Sequence, residues 1–324
     1  YYSPAYFLFG AHLADLTGVG IHTVMLGFSH ILSLGVIAGI GALGSRLGGR
    51  SSGWWAAIAA AGGVALFTTL MDSAYTNIFG MWLTTTFMWM LGEALRGGKR
   101  RDILLAGMCL SAVLLGHPDS ILHLLLAYVL FYISAFFVRP RFSLAQYFRL
   151  TVMIPALGLL FSLPWLLQTW PLVGKIDVHE RQFPQLQHLF WLLSINGGWV
   201  PLAALFGVWW AARRRHWLDI WSLTWVLPIV EISSLGNLDT LSRRSALDPL
   251  QIMYPLGVAW HSTVIPFSLL AARGLRPIGE WVACRIRWKV WVSRGLALAL
   301  LGCLLGIALS GWIVTWSKTV VPPI

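Results

Sequence analysis

Acidic residues are scarce in this sequence. Aspartate and glutamate together number 12 in 324 residues, and charged residues of both signs make up 11% of the chain. Soluble domains carry about 25% charged residues, so this composition excludes an ordinary soluble domain. The hydrophobic share is 57%, in repeated apolar runs near the ~20 residues that a bilayer span requires. The sequence therefore predicts an integral membrane protein.

Cysteine is also rare, and repetition is absent from the sequence. Cys109, Cys284 and Cys303 have no CxxC spacing, so they give no indication of a disulfide or a metal site. The sequence contains no repeat of fixed period, no low-complexity linker, and no recognisable signal peptide or lipidation motif. The simplest prediction is one transmembrane domain over residues 1–324.

Basic residues outnumber acidic ones and give a formal net charge of +11. The hydrophobic runs predict spans at roughly 21–43, 54–75, 77–95, 103–116, 120–138, 148–167, 198–212, 217–235, 254–272 and 293–316. Alternate connections then collect 18 of the 23 basic residues on one side. Lysine and arginine in short loops orient membrane helices toward the cytoplasm, so the charge is an orientation signal rather than a sign of nucleic-acid binding.

This arrangement predicts an all-α, polytopic helical bundle of about ten spans with both ends outside. Because Tyr1 lies on the outer side without a start methionine, we expect a fragment that lacks at least one N-terminal span and the loop after it. Two interfacial helices are predicted as well. One follows Pro184 in the outer segment 168–197, and the other is a basic, tryptophan-rich run at 273–292 on anionic lipid.

A polar stretch, Gly116-His117-Pro118-Asp119-Ser120, interrupts two of the most apolar runs. Gly116 suits a helix end and Pro118 the first position of the next helix, which puts Asp119 in that helix's first turn. Such a break within membrane depth is tolerated only when it is buried in protein or lines a wet cavity. Two interpretations stay open: a capping aspartate beside a hydrogen-bonded histidine, or an outward recess that receives a phosphate or a divalent metal ion.

Other polar residues have the same two interpretations. Asp72, near the outer end of the second span, either caps a turn or joins Asp119 in one outer cleft, and Glu231 is a weaker candidate. Arg243 and Arg244 lie among few outward basic residues and suit phosphate oxygens, although lipid headgroups fit them equally.

Two histidine-containing patterns suggest metal or cofactor chemistry. Asp177, His179 and Glu180 bring three possible ligands together in an outer loop, but their spacing matches no recognised zinc signature, and a solvated loop is the alternative. His22 and His30 share one face of the first predicted span, where they either bind haem or chlorophyll or are satisfied within the bundle.

Three stretches carry a resemblance to a known family: YYSPAYFLFGAHLADLTGVG at 1–20, ALGSRLGGR at 42–50, and EALRGGKRRDILLAGMCLSAVLLGHPDSILHLLLAYVLFY at 93–132. They resemble the GT-C superfamily of polytopic glycosyltransferases, especially the bacterial membrane proteins labelled as related to 6-pyruvoyl-tetrahydropterin synthase. The resemblance extends to about residue 170. It implies a bacterial inner-membrane protein that transfers a sugar from a polyprenyl-phosphate donor to an extracytoplasmic acceptor.

In that family a carboxylate assists the acceptor hydroxyl while cations stabilise the departing lipid phosphate. His117 matches the position at which the family has a His-Pro-type break between two helices. Position relative to the predicted spans is the only basis for two other assignments. These are Asp72 and Asp119 as catalytic groups, and Arg243 and Arg244 as phosphate ligands. The family's usual catalytic aspartate lies upstream of residue 1, so no residue here inherits its role. The alternative is a non-catalytic structural or pigment-associated subunit of a larger membrane complex; a transporter ranks third, since no inverted repeat is visible.

Overall fold

The computed structural model describes residues 5–71, 75–116, 118–137, 142–173, 192–235 and 261–285, and every regular element within them is helical. The all-α prediction is confirmed. The α-helices, numbered here in chain order, are α1 Ala5–Thr17, α2 Ile21–Gly48, α3 Arg50–Gly62, α4 Ala65–Met71, α5 Tyr75–Gly97, α6 Arg100–Gly116, α7 Pro118–Phe137, α8 Leu144–Phe148, α9 Ile154–Val173, α10 Trp199–Arg214, α11 Trp217–Leu235 and α12 Val264–Arg285. A π-helical turn, Arg149–Met153, joins α8 to α9.

Two helical segments among the described residues are long and apolar enough to cross a membrane. They are Ile21–Gly48, with 28 residues, and Leu144–Gln168, with 25 residues. Both coincide with predicted spans, and this agrees with membrane association. The total of about ten spans stays a prediction, and the predicted span at 293–316 lies outside the described residues.

The chain divides into two compact units. Among the described residues, the first unit comprises 5–39, 75–116, 118–137 and 142–173, and the second comprises 40–71, 192–235 and 261–285. The division falls within α2, between Gly39 and Ile40. That residues 1–324 form a single transmembrane domain stays a prediction.

In the first unit, α6 and α9 pack side by side in the same direction. A Cβ placed on Gly107 would lie 2.4 Å from the Leu157 Cβ, and one on Gly158 would lie 2.8 Å from Leu110 Cδ2. Contacts therefore advance along both helices together, which makes the pair parallel. This direction agrees with the predicted topology, in which successive spans alternate in direction and both of these helices begin on the side of the membrane that carries most of the basic residues.

In the second unit, α10 and α12 form another parallel pair. Their backbones nearly touch: a Cβ on Gly207 would lie 1.8 Å from the Leu270 carbonyl oxygen, and one on Gly274 would lie 2.4 Å from a carbonyl oxygen of α10. Just before the two helices begin, Asn196 Nδ2 donates a hydrogen bond to Thr263 Oγ1 at 2.8 Å. Small residues allow helices in a membrane protein to approach this closely.

The predicted span at 54–75 is divided into α3 and α4. Gly62 ends α3, and Gly63 is extended with φ −77° and ψ 150°. Glycine has a low helix propensity, so two in succession weaken the helix at this point. The Trp199 indole Nε1 donates to the Gly62 carbonyl oxygen at 3.0 Å, which supplies a partner at the helix end.

Candidate functional site

The predicted break in the first unit is present at the expected residues. α6 ends at Gly116 and α7 begins at Pro118, as the sequence predicts. Asp119 is in the first turn of α7, although its side chain, like residue His117, lies outside what the structure describes. Whether these two side chains form a recess therefore stays a prediction.

The start of α5 lies beside this break. A Cβ on Gly116 would lie 2.6 Å from Leu83 Cδ1 and 3.6 Å from Phe79 Cδ1, so the end of α6 packs directly on the first turns of α5. Asp72 precedes α5 by three residues and lies outside the described part of the chain. The beginning of α5 and the α6–α7 junction thus form one end of the first unit, referred to below as the break end.

Asn77, in the first turn of α5, is a polar residue of the break end that the sequence analysis did not select. Its side chain is buried, with 5% of its surface exposed, and its Oδ1 accepts no hydrogen bond from any residue that the structure describes. A buried acceptor without a partner costs about 1–3 kcal/mol. It therefore has the capacity to accept a hydrogen bond from a ligand hydroxyl. The only sequence signal was an asparagine directly before the apolar residues Ile78 and Phe79.

Tyr6 attaches α1 to the break end. Its ring lies 5.8 Å from the Phe79 ring centroid, and its hydroxyl donates to the Met25 carbonyl oxygen at 2.8 Å and lies 2.6 Å from Ser29 Oγ. Burial raises the pKa of the Tyr6 hydroxyl more than the hydrogen bond with Ser29 lowers it. The hydroxyl therefore stays protonated near neutral pH and keeps its role as a donor.

The remaining predicted site residues are not brought together by the described structure. Asp177, His179, Glu180, Arg243 and Arg244 all lie outside the described residues. Within the described residues, no group of three or more histidine, cysteine or acidic side chains is placed to hold a metal ion. The divalent metal therefore stays a prediction.

Three further candidate residues are on described helices. They are His22 and His30, the histidines of the pigment hypothesis, and Glu231, the weaker carboxylate candidate. His22 and His30 are both exposed on α2, and His30 Nδ1 lies 2.8 Å from the Leu26 carbonyl oxygen. Glu231 is within α11, but its side chain is not described.

A buried ion pair in the second unit is the strongest electrostatic contact that the sequence analysis missed. Arg273 donates from Nε to Asp219 Oδ1 and from Nη2 to Asp219 Oδ2, each at 2.7 Å. Arg273 Nη1 also donates to the Leu47 carbonyl oxygen at 2.7 Å, and the His216 backbone N–H donates to Asp219 Oδ2 at 3.1 Å. Arg273, predicted as the first residue of a surface helix, is instead 8% exposed and joins α12 to the end of α2 and the start of α11.

Comparison with protein-family models, curated proteins and solved structures finds no match to this chain. The resemblance to the GT-C superfamily accordingly rests on the three sequence stretches that carry it.

Proposed function

We propose that this protein is a multi-pass inner-membrane protein of GT-C type that transfers a sugar from a polyprenyl-phosphate donor to an acceptor on the extracytoplasmic side. The observation that carries the proposal is the interruption between two apolar helices, because α6 ends at Gly116 and α7 begins at Pro118. Non-helical backbone at membrane depth requires protein or water around it, so a recess is the expected environment.

The packing of the break end supports this location. Asn77 offers a buried acceptor in the first turn of α5, and the start of a helix such as α7 favours a negatively charged group. In the proposed reaction, Asp72 or Asp119 accepts the proton of the acceptor hydroxyl, while Arg243 and Arg244 stabilise the departing lipid phosphate. Asp119 would hold a divalent cation if one binds, and the cation would supply positive charge that offsets the repulsion between this carboxylate and the lipid phosphate.

Transfer of sugar from a polyprenyl-phosphate donor by the intact protein tests the proposal. Asp119→Ala and His117→Ala should each lower turnover by about a hundredfold or more, the scale of general acid–base assistance. Arg244→Ala should weaken donor binding. Asp102→Ala is the matched control, because Asp102 occupies the first turn of α6 and is half-buried away from the break end. Equal turnover in all four variants would remove the site assignment.

A pigment-associated subunit is the second candidate, and the two exposed histidines on α2 favour it. The contact between His30 Nδ1 and the Leu26 carbonyl oxygen fixes the imidazole and leaves Nε2 available as an axial ligand, as in many haem and metal sites. An absorption spectrum of the purified protein separates the two candidates. A band from haem or chlorophyll that His30→Ala abolishes would support the subunit, and a colourless preparation would discard it.

A further inference from the structure

The outer surface of α10 combines an apolar stripe with a cluster of arginines. The stripe is formed by exposed side chains at helical spacing: Leu202, Leu205, Phe206 and Trp209, each exposed by 59–68%. The helix ends with Arg213 and Arg214, and Arg215 follows as its C-cap. These two features together are called the α10 surface below.

The arginines of the α10 surface have no carboxylate in direct contact among the described residues. All three are exposed, and among the described residues no carboxylate forms an ion pair with any of them. Asp219 is the acidic residue nearest to them along the chain, but hydrogen bonds from Arg273 and from the His216 N–H already occupy both of its carboxylate oxygens. The charge of Asp219 acts on Arg214 without forming an ion pair with it, and the exposed cluster keeps a net positive charge that favours binding of an anion.

Two contacts hold the cluster in a defined arrangement. The Arg213 guanidinium carbon lies over the Trp209 ring, 4.2 Å from its centroid, and this cation–π contact holds the charged group against the indole. Arg215 has a φ of 53°, which non-glycine residues rarely adopt, and its Nε donates to the Ala212 carbonyl oxygen at 3.1 Å. Both guanidinium groups keep their remaining N–H donors for another acceptor.

We infer that the α10 surface binds an anionic phospholipid, with an acyl chain along the apolar stripe and the headgroup phosphate between Arg213 and Arg215. An exposed apolar helix face favours contact with an apolar partner, and guanidinium groups without an ion pair favour an oxyanion. A phospholipid provides both in one molecule. The inference rests on the proposed membrane location but not on sugar transfer, so either can fail without the other.

Lipid retention by the purified full chain tests the inference. Phosphatidylglycerol and phosphatidylcholine with identical acyl chains are offered to the protein in mixed micelles, and the bound lipid is counted by mass spectrometry. The wild-type chain should prefer phosphatidylglycerol. Replacing the three arginines with glutamine should lower that preference by about tenfold or more, and Trp209→Leu by about threefold, because the stacking that orients Arg213 is lost.

The matched control replaces Lys99, Arg100 and Arg101 with glutamine. These exposed residues carry the same charge, but Asp102 follows them directly, and within the described part of the chain they do not stack on an aromatic ring. Their loss should change the preference by less than about twofold. An equal decrease in the control would show that only general surface charge is involved, and displacement by millimolar inorganic phosphate would show a free-anion site. Either result would overturn the inference, as would full retention in the Trp209→Leu variant.

Discussion

Two buried polar sites, one in each unit, differ in how completely hydrogen bonds satisfy them. In the second unit, Asp219 and Arg273 are buried, and four short hydrogen bonds occupy their oxygens and guanidinium nitrogens. In the first unit, Asn77 is buried to a similar degree, yet its Oδ1 accepts no hydrogen bond from the described residues. Burial alone therefore does not mark a candidate site. An unsatisfied hydrogen-bonding capacity is the more informative signal, because it has a free-energy cost that a ligand can remove.

The largest expected effect comes from removing one partner of the buried pair. Arg273→Ala leaves the Asp219 carboxylate buried without its counter-charge and should lower the free energy of unfolding by about 3–5 kcal/mol. Thermal unfolding in detergent measures the loss. The matched control is Arg276→Ala, because the Arg276–Glu280 pair spans one turn of the same helix and is partly exposed.

That control should cost at most about 1 kcal/mol, as is usual for exposed pairs. Replacing both buried partners with apolar residues, Asp219→Leu with Arg273→Met, should recover most of the loss. Equal destabilisation by Arg273→Ala and Arg276→Ala would contradict a structural role for the buried pair.

A methyl group added at the α10–α12 contact should have the next largest effect. Gly207→Ala places a Cβ against the Leu270 carbonyl oxygen and should destabilise the second unit by about 1–3 kcal/mol through overpacking. Gly27→Ala is the control in the first unit, because its Cβ would meet nothing within 4 Å. Since alanine has a higher helix propensity than glycine, Gly27→Ala should stabilise the first unit by about 0.5–1 kcal/mol. The same sign for both variants would disprove the close approach.

Asn77→Leu tests the unsatisfied acceptor directly. Removing a buried acceptor that has no partner should leave stability unchanged or raise it by about 1–2 kcal/mol, while binding of the sugar donor should fall by about tenfold. Thermal unfolding and donor binding are measured on the same preparation. Lower stability together with normal donor binding would mean that Asn77 is a structural residue.

Tyr6→Phe should have the smallest effect. The variant keeps the ring contacts with Phe79 but loses the hydroxyl that contacts Met25 and Ser29, at a cost of about 0.5–1.5 kcal/mol. Because the raised pKa keeps Tyr6 neutral, the difference from wild type should be constant between pH 6 and 8. A difference that changed across this interval would contradict that protonation state. Ser29→Ala is a useful second variant, since it removes the contact of the Tyr6 hydroxyl with Ser29 and keeps its contact with the Met25 carbonyl oxygen.

Much of the helical framework was predictable from short-range patterns. Gly116 and Pro118 mark the end of α6 and the start of α7 because glycine and proline have fixed steric preferences at helix ends. The break between Gly62 and Gly63 was missed, because a run of apolar residues predicts one span regardless of where its helix weakens. Asn77 was missed for a different reason: whether an acceptor finds a donor depends on helices that are distant in sequence.

Composition and hydrophobic periodicity were sufficient to predict the helices of the described residues and the two apolar segments of bilayer length, since both depend on side chains within a few turns of each other. Which charges are buried and paired was decided only by packing. Asp219 and Arg273 are separated by 54 positions and read as ordinary loop-end charges, yet the approach of α12 to the start of α11 makes them partners. Their low exposure follows from that contact, because charges removed from water require a counter-charge that no local pattern can specify.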